Sequence, residues 1–280
     1  MRTVTAATRL VGVLGWPVGH SLSPQLHNAA FEALGVDFVS VGFAVREGAI
    51  GAALEGLRAL SVCGASVTMP HKEAAARLAS VATPLVERLG AANCLRLHGD
   101  TIEAHSTDGR GLLDALALGA DFDPAGRSCV VLGAGGAARA AIAALVDAGA
   151  EVTIVVRDPA RAARALEVGG GRAQLGPEAA VADAALVVNA TPVGMANTPA
   201  AGQLAISSAG LLGAGQVVCD LVYEPRRTPL AEAAAAAGAT LVPGLAVLVH
   251  QARHQLELWT GQPLLPSVLI EACRSMGEEC

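Results

Sequence analysis

The segment Val130-Val131-Leu132-Gly133-Ala134-Gly135-Gly136-Ala137-Ala138-Arg139 constrains this chain more than any other. An apolar run ends at a glycine, turns on small residues and passes into an alanine-rich stretch reaching Ala148, which reads as strand, tight turn and helix. Gly133, Gly135 and Ala138 fit the pattern G-x-G-x-x-G/A. In that pattern the first glycine permits the turn, the second lets backbone approach a pyrophosphate, and the third small residue brings helix close to strand. The leading N–H groups of such a helix lack intrahelical acceptors and carry the positive end of its dipole. Gly133, Ala134, Gly135, Gly136 and Ala137 are therefore candidate contacts to a dinucleotide. Alone, the pattern is equally a glycine turn of any α/β protein, so its surroundings decide.

Those surroundings alternate. Before the glycine turn, Val11–Leu14, Phe38–Phe43 and Ala65–Met69 read as strands, with helices expected from Ser23, over Gly48–Leu60 and over His71–Leu78. Ser23 fits an N-cap with Pro24 at the first helical position. Asn93–Leu97 and Thr101–Ala104 flank His98-Gly99-Asp100 as a hairpin, which predicts an antiparallel edge on the first sheet. Asp121-Phe122-Asp123-Pro124-Ala125-Gly126 is a turn-rich connector. Beyond it strands at Ser128–Leu132, Glu151–Val156, Ala185–Asn189 and Val217–Leu221 alternate with helices, ending in the pair Leu245–Thr260 and Pro266–Ser275. The expected fold class is α/β with two α/β domains. A substrate and catalytic domain with a mostly parallel sheet spans 1–107 with 244–280, and a Rossmann-type dinucleotide-binding domain spans 108–243.

Composition removes several classes of function. Hydrophobic residues make up 52% and aromatics only 2%, so the cores must be built from alanine, valine and leucine. A net charge of −6, with no basic-plus-aromatic stacking pattern, argues against a nucleic-acid partner. The apolar run Leu10–Leu14 is too short for a signal peptide, and no uninterrupted apolar segment has spanning length, so a cytoplasmic protein with no membrane partner is expected. Six scattered cysteines without a C-x-x-C pair read as small core residues or free thiols. His250 and His254 lie four apart on a helix, but Gln251 stands where H-E-x-x-H needs glutamate, so no metal site is expected. His27 reads as a cap or packing residue.

The end of the second strand of a dinucleotide fold grips the adenine ribose. Here that stretch is Val156-Arg157-Asp158, with Arg161 one turn on. A guanidinium binds a 2′-phosphate bidentately, so Arg157 and Arg161 favour NADP, while Asp158 leaves NAD open. Thr191, in the loop Asn189-Ala190-Thr191-Pro192-Val193-Gly194 after a buried strand, is a candidate cofactor contact, as is Gly244 before the last helices.

A set of ordered, spaced segments resembles the shikimate dehydrogenase family over nearly the whole chain. Ser21-Leu22-Ser23-Pro24 with His27-Asn28 resembles S-x-S-P-x-x-H-N, and Ser66-Val67-Thr68-Met69-Pro70-His71-Lys72 resembles N-V-T-x-P-x-K. Gly90-Ala91-Ala92-Asn93 resembles G-A-x-N, and Ser106-Thr107-Asp108-Gly109 resembles N-T-D-G. Tyr223, Pro225 and Thr228-Pro229-Leu230 fit Y-x-P-x-x-T-P-L, and Gln251 falls in the family's C-terminal substrate-contacting helix. The resemblance implies reversible reduction of 3-dehydroshikimate to shikimate with NADPH, a step of aromatic amino acid biosynthesis. It implies Lys72 and Asp108 as the acid–base pair, and Ser21, Ser23, Ser66, Thr68, Asn93, Tyr223 and Gln251 as substrate contacts. A small-molecule substrate is thus the expected partner, in a monomer or a homodimer.

The chemistry suits these residue types. Hydride addition turns a carbonyl into an incipient alkoxide that needs a proton, and a lysine ammonium both stabilises the charge and supplies the proton. A polyhydroxylated acid needs many short donors and acceptors, because each group left unpaired weakens binding. Four positions depart from the family pattern. Ser66 and Ser106 replace asparagines, Cys94 replaces a threonine, and Ala246-Val247 replaces Gly-Met. Serine reaches less far and has one donor where the amide has two. These departures keep open a relative acting on quinate or aminoshikimate, and a cofactor-binding sensor that has lost catalysis.

Overall fold

A computed structural model describes residues 3–275. From the N-terminus run β1 (Arg9–Gly15), α1 (Ser23–Leu34), β2 (Phe38–Ala44), α2 (Ile50–Ala59), β3 (Gly64–Val67), α3 (Lys72–Leu78), β4 (Val81–Ala82), α4 (Pro84–Leu89), β5 (Cys94–His98) and β6 (Thr101–His105). After them come α5 (Asp108–Ala120), β7 (Ser128–Leu132), α6 (Gly136–Asp147), β8 (Glu151–Val155), α7 (Ala163–Gly169), β9 (Ala173–Leu175), β10 (Leu186–Asn189), β11 (Val217–Asp220), α8 (Pro229–Ala236), β12 (Thr240–Pro243), α9 (Gly244–Thr260) and α10 (Pro266–Ser275). The chain separates into two compact units: one runs up to Thr107 and resumes at Gln251, and the other spans Asp108–His250.

The first unit holds a six-stranded sheet in the order β2-β1-β3-β5-β6-β4. The hairpin β5–β6 forms as expected, but its antiparallel strand is interior. β5 runs against both β3 and β6, while the short β4 joins β6 in parallel and becomes the edge. The reason lies in the segment around it, where Ser80 N donates to Ile102 O and Thr83 N to Ala104 O, satisfying the outer side of β6. The opposite edge, β2, is closed by a side chain. Asn28 Nδ2 donates to Ser40 O at 3.0 Å and Ser40 N donates to Asn28 Oδ1 at 2.8 Å, so α1 imitates a further strand. Beside it His27 Nδ1 lies 3.0 Å from Ser40 Oγ. The core under this sheet is aliphatic, built around Leu14, Leu54, Leu57, Val67, Leu95 and Ile102.

The second half of α9 lies along β5 through a stripe spaced by four residues: Gln251, Gln255 and Trp259. Gln255 Nε2 donates to Asn93 O at 3.0 Å, and Trp259 Nε1 to Leu95 O at 2.9 Å. A methyl group on Gly64 would overlap the Trp259 indole and stand 2.9 Å from Leu95 O, so the close approach requires glycine there.

The second unit holds an all-parallel sheet in the order β12-β11-β10-β7-β8-β9. Its core is built around Val130, Leu132, Val187, Val218 and Leu230. Such small side chains let helices pack close. A methyl on Gly109 would sit 2.7 Å from Ala140 O, so the glycine after Asp108 is what lets α5 meet α6. Between β8 and α7 the chain makes a 3-10 turn, Pro159–Ala162.

Cys63, Cys94, Cys129 and Cys219 form no disulfide, and burial pushes the Cys129 thiol up to about 12, with Arg127 opposing the shift. Cys273, in contrast to the free-thiol expectation, is disulfide-bonded. Among the described residues no helix is long and apolar enough to cross a membrane. Among them, too, no group of three or more His, Cys, Asp or Glu side chains is placed to hold a metal ion.

Candidate active site

Strand direction gathers the candidate residues of the first unit at one end of its sheet. β1, β3 and β6 run the same way, so the segments after them emerge together: Trp16–Leu22, Thr68–His71 and Ser106–Thr107. Because β5 runs backwards, its preceding residue Asn93 lies at the same end. Hydrogen bonds tie these segments to one another. Thr68 N donates to Leu14 O, Trp16 N to Met69 O, Val67 N to Asn93 O, and Ala92 N to Lys72 O, which fixes the backbone of Lys72 beside Asn93. His71, fully enclosed, anchors the start of α3 through a 2.6 Å contact of Nε2 with Val45 O.

Ser23 is not the N-cap of α1. It is the first helical residue, the cap position is Leu22, and no side chain caps the helix there. Ser21 provides the local acceptor instead, its Oγ taking Ser23 N at 3.3 Å. Ser23 is buried, and Ser66, also buried, pairs in register with Cys94, so two small side chains stand at the positions of two departures from the family pattern.

Asn93 is a hub. Its Oδ1 accepts from Thr107 N at 2.7 Å, and its Nδ2 donates to Thr107 Oγ1 at 2.9 Å and to Gln251 Oε1 at 3.0 Å. Gln251 Oε1 also accepts from Gln255 Nε2 at 2.8 Å. Thr107 and Gln255 are not among the sequence candidates. Thr107 lies within the T-D-G match, and Gln255 is signalled only by its spacing of four from both Gln251 and Trp259. Asp108 follows Thr107 as the first residue of α5, in the second unit.

In the second unit the glycine turn lies where the sheet order reverses, between β7 and β10. Gly133 has φ of +109°, which only glycine adopts readily, and its N–H donates to Val155 O. The 12-residue α6 starts without a side-chain cap, and a methyl on Gly135 would meet nothing within 4 Å. Open space thus fronts uncapped helix N–H groups, which fits a pyrophosphate. Ala134, Gly136 and Ala137 belong to the same turn. Thr191 is brought beside it, its Cγ2 standing 3.1 Å from a Cβ built on Gly133. Its hydroxyl donates to Asn189 Oδ1 at 2.7 Å and so shapes its own loop. Arg157 is exposed just beyond β8, the neighbour of β7. The side chain of Arg161 lies outside those described. Asp158 turns inward to its own chain, Oδ1 accepting from Ala160 N at 3.1 Å, so it caps the following turn.

Asp220, at the end of β11, holds the neighbouring loops together. Asn189 Nδ2 donates to Oδ1 at 2.9 Å, Val222 N to Oδ1 at 3.1 Å, and Thr228 Oγ1 to Oδ2 at 2.6 Å. Burial pushes its carboxyl above the usual range, and these three bonds pull it back. Tyr223 lies on the loop so pinned. The backbone of Gly244 abuts that loop, since a methyl there would stand 2.5 Å from Asp220 O.

A parallel sheet numbered 3-2-1-4-5-6 by its own strands, with a glycine turn at its reversal point, defines a dinucleotide-binding fold of the Rossmann class. Comparison with known proteins narrows the class. Residues 13–95 match the family described as shikimate dehydrogenase substrate binding domain, 121–209 match a putative NAD(P)-binding family, and 244–274 match the shikimate 5'-dehydrogenase C-terminal domain. The NADP(+) shikimate dehydrogenase of Citrifermentans bemidjiense is 43% identical over 271 residues, covering 92% of each chain. The crystal structure of shikimate 5-dehydrogenase from Thermus thermophilus in complex with NADP(H) and shikimate superimposes with a TM-score of 0.86 at 36% identity, over 96% of this chain and 99% of that one. Quinate dehydrogenase from Corynebacterium glutamicum in complex with NAD gives a TM-score of 0.84 at 29% identity, over 96% and 99%. This chain belongs to the shikimate dehydrogenase family.

Proposed function

We propose that this protein is an NADP-dependent dehydrogenase interconverting 3-dehydroshikimate and shikimate. The observation that carries the reading is the gathering of Ser21, Ser23, Thr68, Asn93 and Gln251 at one end of the first sheet, with the backbone of Lys72 bonded beside Asn93. That end offers hydroxyl and amide groups suited to a small polyhydroxylated acid. In this reading residues 1–107 with 244–280 form the substrate domain, and 108–243 the NADP domain.

Gly133–Ala137 would hold the pyrophosphate and Arg157 the 2′-phosphate, with Arg161, Thr191 and Gly244 completing the cofactor contacts. The capping role of Asp158 favours NADP, because a carboxylate turned into its own backbone does not reach for the ribose. When bound, NADPH supplies the hydride. The chain's own residues do the rest. Ser21, Ser23, Ser66, Thr68, Asn93, Tyr223 and Gln251 orient the substrate through its carboxylate and hydroxyls. Lys72 gives its proton to the carbonyl oxygen as charge develops there, and Asp108 orients Lys72; in the reverse direction Lys72 takes the hydroxyl proton.

Lys72→Ala tests this directly. Loss of a general acid acting in the transition state is expected to lower kcat for shikimate oxidation by about 10²–10⁴-fold while NADP+ binding persists. Wild-type kcat in the variant overturns the mechanism. A second reading, turnover of quinate or aminoshikimate, is favoured by the short side chain of Ser66, which sits beside Cys94 where the family carries asparagine and threonine.

A further inference from the structure

Gln255 is fully buried, and its carboxamide is half satisfied. Nε2 donates to Asn93 O at 3.0 Å and to Gln251 Oε1 at 2.8 Å, while Oε1 has no hydrogen-bond partner. A buried amide oxygen left unpaired is unfavourable, and a methionine would fill the space without it. The orientation nevertheless has no alternative. Turned over, Gln255 would set its oxygen against two other oxygens, Asn93 O and Gln251 Oε1.

Two backbone groups of fixed polarity converge on the same result. Thr107 N, which can only donate, claims Asn93 Oδ1 and so turns Asn93 Nδ2 toward Gln251. Asn93 O, which can only accept, claims Gln255 Nε2 and so turns that donor toward Gln251 as well. Gln251 Oε1 therefore meets amide donors from both sides, with the Thr107 hydroxyl a third at 3.4 Å. Reversing the Gln251 amide would set its NH2 group against the amide donors of both Asn93 and Gln255.

We propose that Gln255 is a positioning residue. It locks the Gln251 carboxamide with oxygen inward, so that Gln251 presents its NH2 group to an acceptor oxygen of the substrate. This rests on the reading of Gln251 as a substrate contact. The geometry restricts Gln251 to donating, which selects a carboxylate or hydroxyl oxygen over a donor such as an ammonium group.

The test compares Gln255→Met, Gln255→Glu, Gln251→Ala and the Gln251→Ala/Gln255→Met double variant by steady-state kinetics with shikimate and NADP+, and by thermal unfolding. Gln255→Met is expected to raise KM for shikimate about tenfold, the worth of one oriented hydrogen bond, with KM for NADP+ and Tm unchanged or Tm higher. Gln255→Glu, which reverses the polarity, is expected to raise it further. In the Gln251→Ala background Gln255→Met is expected to add nothing. Unchanged KM for shikimate in Gln255→Met, where Gln251→Ala raises it, overturns the proposal alone, as does a lower Tm with unchanged KM. Unchanged KM in Gln251→Ala overturns the substrate reading of Gln251 and the proposal with it.

Discussion

At His27 burial sets the chemistry. The ring is fully enclosed, stands edge-on to Trp259 with centroids 5.1 Å apart, and is held neutral by desolvation, which brings its pKa from 6.5 down to about 3. The unfolded chain binds a proton there more readily than the folded one. Stability from this site is therefore complete above pH 6.5 and is lost as pH falls toward 3, at about 1.4 kcal/mol per unit. His27→Phe is expected to flatten the acid limb of a stability–pH curve between these limits, measured by urea unfolding; an unchanged slope contradicts the account. Arg157 supplies a second test. Arg157→Ala is expected to raise KM for NADP+ by about 10–100-fold and leave that for NAD+ little changed, since only the 2′-phosphate loses a charge-assisted partner. The candidate residues were legible as candidates because they stand in spaced segments, Lys72 and Asp108 among them. Their hydrogen-bond roles were not. Whether Ser23 caps a helix, or Asp158 faces a ribose or its own backbone, depends on dihedral angles that one-dimensional spacing does not carry.

Elements that carry a continuous apolar run were legible, the four-residue strands β3, β10 and β11 among them, and the strands β4, β9 and β12 were not. The strand–turn–helix at Val130–Ala148 is visible because an apolar run and an alanine-rich run flank glycines. β4, β9 and β12 have too few residues to show a period, and β4 exists only because β6 offers an open edge. The interior position of β5 was hidden for the same reason, since a hairpin signal says which strands pair but not which of them ends the sheet. The stripe Gln251, Gln255 and Trp259 belongs to this scale, because it fixes the register of α9 on β5. Gly64→Ala is expected to force the indole away from Leu95 and lower stability by about 1–3 kcal/mol, the usual result of overpacking, read from the shift in urea midpoint. A midpoint equal to wild type contradicts the required contact.

At the scale of the molecule, the alternation of strand and helix on both sides of residues 121–126 announced two α/β units, and the chain divides into two. One carries a dinucleotide fold and the other gathers hydroxyl and amide groups at the carboxyl ends of its strands. What the whole chain leaves to chemistry is the choice of acid. Shortened side chains at Ser66 and Ser106 loosen the pattern of the family without touching Lys72 or Asp108. The measurement that bears on this most directly is a panel of kcat/KM values for shikimate, quinate and aminoshikimate, each with NADP+ and with NAD+. Shikimate with NADP+ is expected to exceed every other pair by at least about tenfold, because a site built to pair one set of hydroxyls leaves its groups unpaired with another. A higher value for quinate or aminoshikimate, or for NAD+ with shikimate, contradicts the account.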